Sequence, residues 1–205
     1  FVLGFGQLYA QPVRDTAWTK AGYFGLKLTQ VSLSSWSAGG ESALAFDSQI
    51  TYSADFKRDR QLWQNRLELG YGLTKNDGKS ARKTNDKIYF ASTYGYQIYK
   101  TLYWSALLNF NTQFAKGYDY NIEDSDFISK FMAPGYLMIG TGVTWSPNKI
   151  FTATFTPASW RGTIVADSRL SDEGAFGVDK GKHLLSEFGA NLKAEVNYEF
   201  LPNMK

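Results

Sequence analysis

His183, Ser186 and Glu187 lie close together in the chain and are residue types that can perform acyl transfer. In such a site the histidine takes the proton of the serine while an acid orients the histidine. Ser186 and Glu187 are adjacent, however, and successive residues of a strand point to opposite faces. The chain has one histidine and no cysteine, which leaves little for zinc or thiol chemistry. We therefore predict a solvated loop histidine, with no catalytic residue, no metal and no cofactor.

A group of acidic residues raises the question of cation binding, at Asp119, Glu123, Asp124 and Asp126. The group lacks the central glycine and the ligand spacing of a calcium-binding EF-hand loop. An exposed, flexible loop explains it more simply. Weak calcium binding, or contact with lipopolysaccharide bridged by divalent cations, is the alternative.

The composition excludes several classes of protein. The net charge is +3, from 22 Lys and Arg and 19 Asp and Glu that are interspersed, so we predict no nucleic-acid partner. No apolar run reaches the roughly 18 residues that a membrane-spanning helix requires. Aromatic residues are abundant, with 13 Tyr, 15 Phe and 6 Trp. These apolar residues must therefore follow another periodicity.

Residues 185–200 alternate strictly between apolar and polar side chains. Phe188 and Leu192 share one face of an extended chain, while Glu187 and Asn191 share the other. This period of two is typical of a strand with one apolar and one polar face. The same pattern predicts eight strands in all, at residues 23–33, 42–55, 62–73, 87–98, 102–114, 136–145, 150–156 and 185–200.

Strand length and polarity favour a membrane barrel. Strands of roughly ten to fourteen residues, tilted near 45°, span a bilayer. One face is nearly free of charge and the other is rich in Asn, Gln, Thr, Ser and Gly, which matches a lipid-facing exterior and a polar lumen. We predict an all-β, antiparallel, up-and-down transmembrane β-barrel. The predicted lumen-lining polar residues are Lys27, Asp47, Gln49, Arg66, Glu68, Lys87, Asn109, Asn111, Gln113, Lys193 and Glu195.

Aromatic residues toward the strand ends support the membrane interpretation, since interfacial girdles of outer-membrane barrels contain Tyr and Trp. Aromatic residues that fill an ordinary soluble core are the alternative. Charges of both signs on the polar face could pair and fill a narrow lumen, or line a small channel. The predicted membrane-interface aromatic residues are Trp63, Tyr71, Tyr96, Trp104, Trp145 and Tyr198.

Long and short connections alternate along the chain, as short periplasmic turns and long, mobile extracellular loops do in outer-membrane barrels. The largest loop contains residues 167–173, which could form a helical turn capped by Asp167. Residues 1–10 look like the tail of a secretory signal peptide cleaved after Ala10, with a short buried strand as the alternative. Residues 11–205 then form one barrel domain. Because residues 201–205 have the composition of a turn, we expect further strands beyond them.

Six segments follow one another in a fixed order: WSAGGE at 36–41, LGYGL at 69–73, RKTNDK at 82–87, ALLNF at 106–110, APGY at 133–136 and GAFGV at 174–178. Together they resemble the domain-of-unknown-function 3078 family of Bacteroidota, over roughly residues 17–205. The resemblance implies an exported outer-membrane β-barrel of uncharacterised activity, usually longer than this chain. It transfers no catalytic residue.

These observations predict location and architecture better than activity. We expect a protein exported to the outer membrane of a Gram-negative cell envelope, with membrane lipid and other envelope proteins as partners. A structural or accessory subunit of the envelope is the first hypothesis. A narrow pore for small solutes, an outer-membrane lipid-modifying enzyme and a soluble periplasmic lipid-binding barrel are the alternatives.

Overall fold

The computed structural model describes residues 2–4, 17–32, 42–122, 126–148 and 150–196. Within these ranges, a six-residue helix α1, Ser168–Glu173, precedes a 3-10 turn, Ala175–Gly177. No helix in the described ranges is long and apolar enough to cross a membrane. The strands are β1 Val2–Gly4, β2 Trp18–Val31, β3 Ala43–Arg58, β4 Gln61–Asn76, β5 Arg82–Tyr99, β6 Leu102–Thr112, β7 Gly117–Tyr118, β8 Phe127–Ser129, β9 Gly135–Trp145, β10 Phe151–Ile164 and β11 Leu184–Val196.

Eight long strands form one antiparallel sheet in which consecutive long strands are neighbours. Their order is β2-β3-β4-β5-β6-β9-β10-β11, with the three-residue β1 paired outside β2. The short strands β7 and β8 pair separately with each other. The prediction of an all-β, antiparallel fold with eight strands is therefore confirmed. Over the described residues β1 and β11 are the two edges of the sheet and do not pair, so the sheet is not closed into a barrel there.

The connections between long strands define two rims. At the turn rim, β3 joins β4 through residues 59–60, β5 joins β6 through 100–101, and β9 joins β10 through 146–150. Asp59 and Lys100 have positive φ angles of 52° and 25°, as tight turns require. At the opposite end, the loop rim, β4 joins β5 through residues 77–81, β6 joins β9 through 113–134, and β10 joins β11 through 165–183. The predicted alternation of short and long connections therefore holds only in part, because 77–81 and 146–150 both contain five residues.

Strand β10 is longer than the alternation predicted. The predicted strand ended at Thr156, before Pro157, but β10 continues to Ile164. The register shifts by one residue between Thr156 and Ser159, which forms a β-bulge. Proline has no N–H to donate to a ladder, and a bulge is one of the few places in a sheet that tolerates this. Because of the bulge, the residues of β10 that follow it lie on the face of the sheet opposite to the one that simple alternation would give them.

The buried hydrophobic core of the described residues lies at the loop rim, where Leu185 of β11 also packs against it. It contains Ala133, Val165, Leu170 and Val178. These residues belong to two long connections, 113–134 and 165–183, which we call the loop cap. The described part of the loop cap contains β7, β8 and α1 and packs around this core, an ordered arrangement that the expectation of mobile loops did not include.

The predicted helical turn is confirmed as α1. The carboxylate of Asp167 accepts a hydrogen bond from the N–H of Leu170 at 3.0 Å, which satisfies a donor at the start of the helix. Gly174 ends the helix with φ 74°, a left-handed conformation that glycine adopts without strain.

Both ends of the chain contain predictions that lie largely outside the described residues. Of residues 1–10, only Val2–Gly4 are described, and they pair with residues 27–29 of β2. The signal-peptide interpretation stays a prediction. Residues 197–205, which include the predicted interface residue Tyr198, lie outside the described ranges, as do Glu123 and Asp124 of the acidic group.

Candidate functional site

The first face of the sheet, which we call the apolar face, is exposed. Along one cross-strand row, Phe24 pairs with Ile50, Ile50 with Leu69 and Leu69 with Ile88. Phe24 is 50% exposed and Ile50 41%. Every long strand contributes at least one exposed large apolar side chain to this face: Phe24, Ile50, Trp63, Tyr96, Trp104, Ile139, Phe155 and Phe188. A sheet that packed this face into its own core would bury these side chains.

Aromatic side chains form a band on the apolar face close to the turn rim. Trp18 contacts Phe56 and Trp63, with ring centroids 5.2 and 5.8 Å apart. Tyr71 lies on the same face, nearer the loop rim. Four of the six predicted interface residues are therefore in one band. Its members come from seven neighbouring strands: Trp18, Phe56, Trp63, Tyr94, Tyr96, Trp104, Trp145 and Phe151.

Four polar side chains on the apolar face are paired with one another or with the backbone. The indole N–H of Trp63 donates to Ser92 Oγ, and Ser92 donates to Asn65 Oδ1, each at 2.8 Å. The amide of Asn65 then donates to the carbonyl of Ala54 at 3.1 Å. The hydroxyl of Thr141 donates to a backbone carbonyl at 3.2 Å. Such pairing is what polar groups require where water is absent.

The second face, the polar face, carries ten of the eleven predicted lumen residues. Register places ten of them on it directly, and Gln113 follows one residue beyond β6. The amide of Gln113 donates to the carbonyl of Lys130 at 3.1 Å, so this side chain ties the sheet to the loop cap. Sequence alternation therefore grouped these residues correctly by face.

Glu68 is the centre of a charge cluster on the polar face. Its two carboxylate oxygens lie 2.5 Å from Nε of Arg66 and 2.5 Å from Nζ of Lys87. The Lys87 ammonium also lies 5.1 Å from the ring centroid of Tyr89. The Glu68 side chain is 17% exposed, whereas both cations are about half exposed. The negative charge of Glu68 is thus shared between the positive charges of Arg66 on β4 and Lys87 on β5.

Further pairs follow the same face. Asn85 donates to Asp47 Oδ2 at 3.2 Å. Lys193 pairs with Glu195 at 2.8 Å. Arg161 pairs with Glu187 at 3.6 Å, across β10 and β11. The polar face therefore joins opposite charges and amides within and between strands, as charges that fill a narrow lumen would.

Sequence reasoning missed Arg161, Asn85 and a series of hydroxyl groups on the polar face. Arg161 was missed because it lies beyond Pro157, where the bulge changes the alternation. The hydroxyl of Ser105 donates to Thr144 Oγ1 at 2.8 Å, and Thr144 contacts Thr154 Oγ1 at 3.0 Å. The alternating Ser and Thr residues of three predicted strands can be seen in the sequence. Which of them lie opposite one another depends on the register between the strands.

The loop cap is held by charged groups as well as by its core. Nζ of Lys130 lies 2.5 Å from Oδ2 of Asp167. The Lys130 ammonium, and the N–H of Leu170, hold the pKa of the Asp167 carboxyl below its usual value. The guanidinium of Arg169 donates to the carbonyl of Phe127 and lies 4.4 Å from its ring centroid. The two connections of the loop cap are thus joined at several points.

The residues of the possible acyl-transfer site do not converge. Nδ1 of His183 donates to the carbonyl of Val165 at 2.7 Å, which attaches the histidine to the loop cap. Ser186 pairs with Gly162 on the apolar face, whereas Glu187 faces Arg161 on the polar face. Across the described ranges there is also no group of three acidic or histidine side chains arranged to hold a metal.

Comparison with known proteins gives one family match. Residues 28–118 match the family model DUF3078, described as a protein of unknown function. The DUF3078 match runs from the end of β2 through β3–β6 to β7, and contains four of the six segments that suggested the resemblance. The predicted resemblance is therefore confirmed over these residues. No curated protein and no solved structure matches the chain.

Proposed function

We propose that the sheet is the wall of an outer-membrane β-barrel that anchors the loop cap in the cell envelope, as a structural or accessory subunit. The observation that carries this proposal is the burial pattern of the sheet, whose large apolar side chains are exposed and not buried. Large apolar side chains are exposed along all eight long strands, while the buried hydrophobic core is confined to the loop cap. Lipid is the solvent that makes an exposed apolar face stable.

Three further features support a lipid-facing role. The aromatic band follows the turn rim, where interfacial Tyr and Trp concentrate in outer-membrane barrels. The polar groups of Trp63, Ser92 and Thr141 on the apolar face donate to acceptors within the protein. The long strands contain 11 to 18 residues, enough for tilted transmembrane strands. Closure of the barrel requires strands that pair with the free edge of β11.

A soluble periplasmic lipid-binding barrel is less well supported. Such a barrel places its apolar face inside and its charged face in water. In this sheet, small residues of the polar face are buried, with Ser105 at 2% and Thr156 at 0% exposure. A lipid-modifying enzyme is less well supported too, because Ser186 and Glu187 lie on opposite faces.

A narrow pore is the second candidate function. The polar face carries the Glu68 cluster, and the Arg161–Glu187 pair lies on the same face. Rings of charged side chains select ions in pores, but side chains that pair across a narrow lumen close it. Planar-bilayer recordings of the purified protein separate the two. A recording without channel currents fits the anchoring role. Single-channel current steps that change in the Glu68→Gln variant would establish the pore.

Fractionation of cells that export the full chain tests the membrane proposal. We expect the protein in outer-membrane fractions, resistant to carbonate extraction and extracted by detergent. Its electrophoretic mobility should change on heating, as that of folded outer-membrane barrels does. Recovery of a folded, monodisperse protein from the periplasm without detergent would overturn the proposal.

A further inference from the structure

A groove of about 1180 Å³ crosses the apolar face. Its lining follows two adjacent cross-strand rows. In the first row Trp63 pairs with Tyr94, Tyr94 with Ala106, and Ala106 with Thr141. The second row runs through Ser92, Leu108, Ile139, Trp160 and Phe188. The volume is that of a site for a large apolar ligand.

The groove runs diagonally between the two rims. Trp63 lies two residues from the start of β4, at the turn rim. Trp160 lies four residues from the end of β10 and is nearer the loop rim. Because transmembrane strands tilt by about 45°, a row across them is inclined to the membrane normal as well. A long chain in the groove would therefore extend from one rim toward the other.

Three polar groups along the groove are already paired. The Trp63 N–H, the Ser92 hydroxyl and the Thr141 hydroxyl all donate to protein acceptors. These pairs leave the lining effectively apolar, so an aliphatic chain fits it better than a polar ligand does. Selection by shape matters here, because inside a bilayer the hydrophobic effect does not distinguish a groove from surrounding lipid.

The end of the groove at the turn rim has a net positive charge. Gln61 lines the groove, and Lys57, Arg58 and Arg60 lie just before it in the same hairpin, together with Asp59, whose carboxylate lies 4.0 Å from Nε of Arg58. The guanidinium of Arg60 is held in place, because Nε donates to the carbonyl of Gln97 at 2.8 Å and the group lies 5.0 Å from the Tyr96 ring centroid. An oriented guanidinium at a membrane interface complements a phosphate group.

We propose that the groove binds one acyl chain of an anionic phospholipid from the leaflet at the turn rim, with the lipid phosphate at Arg60. The site rests on the proposed membrane location and adds a specific lipid to it. Apolar lining, diagonal direction and a basic entrance coincide in this groove. An acyl chain matches the apolar lining, and an anionic headgroup matches the charge of the entrance.

Photolabelling tests the site. The purified full chain is placed in nanodiscs of phosphatidylethanolamine and phosphatidylglycerol, with a trace of phosphatidylglycerol that carries a diazirine on one acyl chain. Adducts are mapped by mass spectrometry after irradiation. We expect labelling at Leu108, Ile139 and Trp160 to exceed labelling at Ile50 and Leu69, on the same face outside the groove, by about tenfold.

Two variants, each compared with a matched control, test the acyl-chain site and the phosphate contact. Ala106→Phe fills the groove and should reduce labelling there to the level at Ile50, whereas Ala194→Phe adds the same ring to the apolar face outside the groove and should leave labelling unchanged. Arg60→Gln should reduce labelling by the phosphatidylglycerol probe more than Arg58→Gln does. If Ala106→Phe fails to fold, the labelling pattern of the unaltered chain still decides.

Each labelling pattern has a definite meaning. Uniform labelling across the apolar face would overturn the lipid site and leave the membrane location standing. Absence of labelling from every strand would overturn the membrane location as well. Labelling of the groove that Arg60→Gln reduces no more than Arg58→Gln does would overturn the phosphate contact at Arg60.

Discussion

Lys130 and Asp167 join the two connections of the loop cap, with Nζ and Oδ2 only 2.5 Å apart. The same aspartate caps α1 through the N–H of Leu170. One carboxylate therefore both starts a helix and fixes that helix against the neighbouring connection. Since its side chain is mostly buried, neither interaction is easily replaced by water.

Substitution of Asp167 should separate its two roles. Asp167→Asn keeps a helix-capping oxygen but removes the charge that pairs with Lys130, so we expect a moderate loss of loop-cap stability. Asp167→Ala removes both, and the lost cap alone costs about 1 kcal/mol. Amide hydrogen exchange at Leu170 and Val178 measures the effect. Equal exchange in both variants would show that the cap contributes nothing beyond the charge.

The loop cap should lose stability in acid. The pKa of Asp167 is lowered in the folded state, so its contribution is present above the unfolded pKa near 3.8 and is lost as the pH falls through the lower folded value. Protection factors of loop-cap amides, which correct for the intrinsic slowing of exchange in acid, should therefore fall below about pH 4. Asp167→Asn should remove this part of the pH dependence. An unchanged acid profile in the variant would assign the effect to other carboxyl groups.

Ile50 and Gln49 are adjacent in β3, exposed and on opposite faces. In lipid, Ile50→Lys should cost about 2 to 4 kcal/mol if the residue lies near the bilayer midplane, because the ammonium meets hydrocarbon. Gln49→Lys puts the same group on the polar face and should be tolerated. Denaturant unfolding in detergent or liposomes measures both. Equal stability of the two variants would contradict a lipid-facing role for the apolar face.

Gly142 should not tolerate a side chain. It lies on the polar face, and a Cβ there would overlap the carbonyl oxygen of Phe155, next to the β10 bulge. Gly142→Ala should therefore destabilise the fold by about 1 to 3 kcal/mol, since backbone must move. Gly189→Ala is the matched control, because a Cβ at Gly189 has no neighbour within 4 Å. Similar unfolding midpoints for both would mean that the bulge adjusts easily.

The alternation of apolar and polar residues was enough to predict the eight long strands and the two faces of the sheet. Alternation encodes which side of a strand a residue occupies, so Glu68 and Lys87 were grouped correctly before their contact was known. The helical turn was also predictable, because Asp167 stands at a capping position.

Register and loop packing were not predictable from the pattern. Arg161 faces Glu187 only because a bulge at Pro157 shifts β10 by one residue. The contact between Lys130 and Asp167 joins residues of two separate connections, and no local signal encodes such a pairing. The groove was missed for the same reason, since its lining is contributed by six strands whose alignment depends on register.

The position of the hydrophobic core has a consequence for how the protein unfolds. Val165, Leu170 and Val178 are buried in the loop cap, where exclusion from water stabilises them. If the sheet is embedded, its exposed apolar face depends instead on the amphiphile around it. Urea would then act first on the loop cap, while a change of detergent chain length would act first on the sheet. A single melting temperature would not describe such a chain, because its two parts would respond to different solvents.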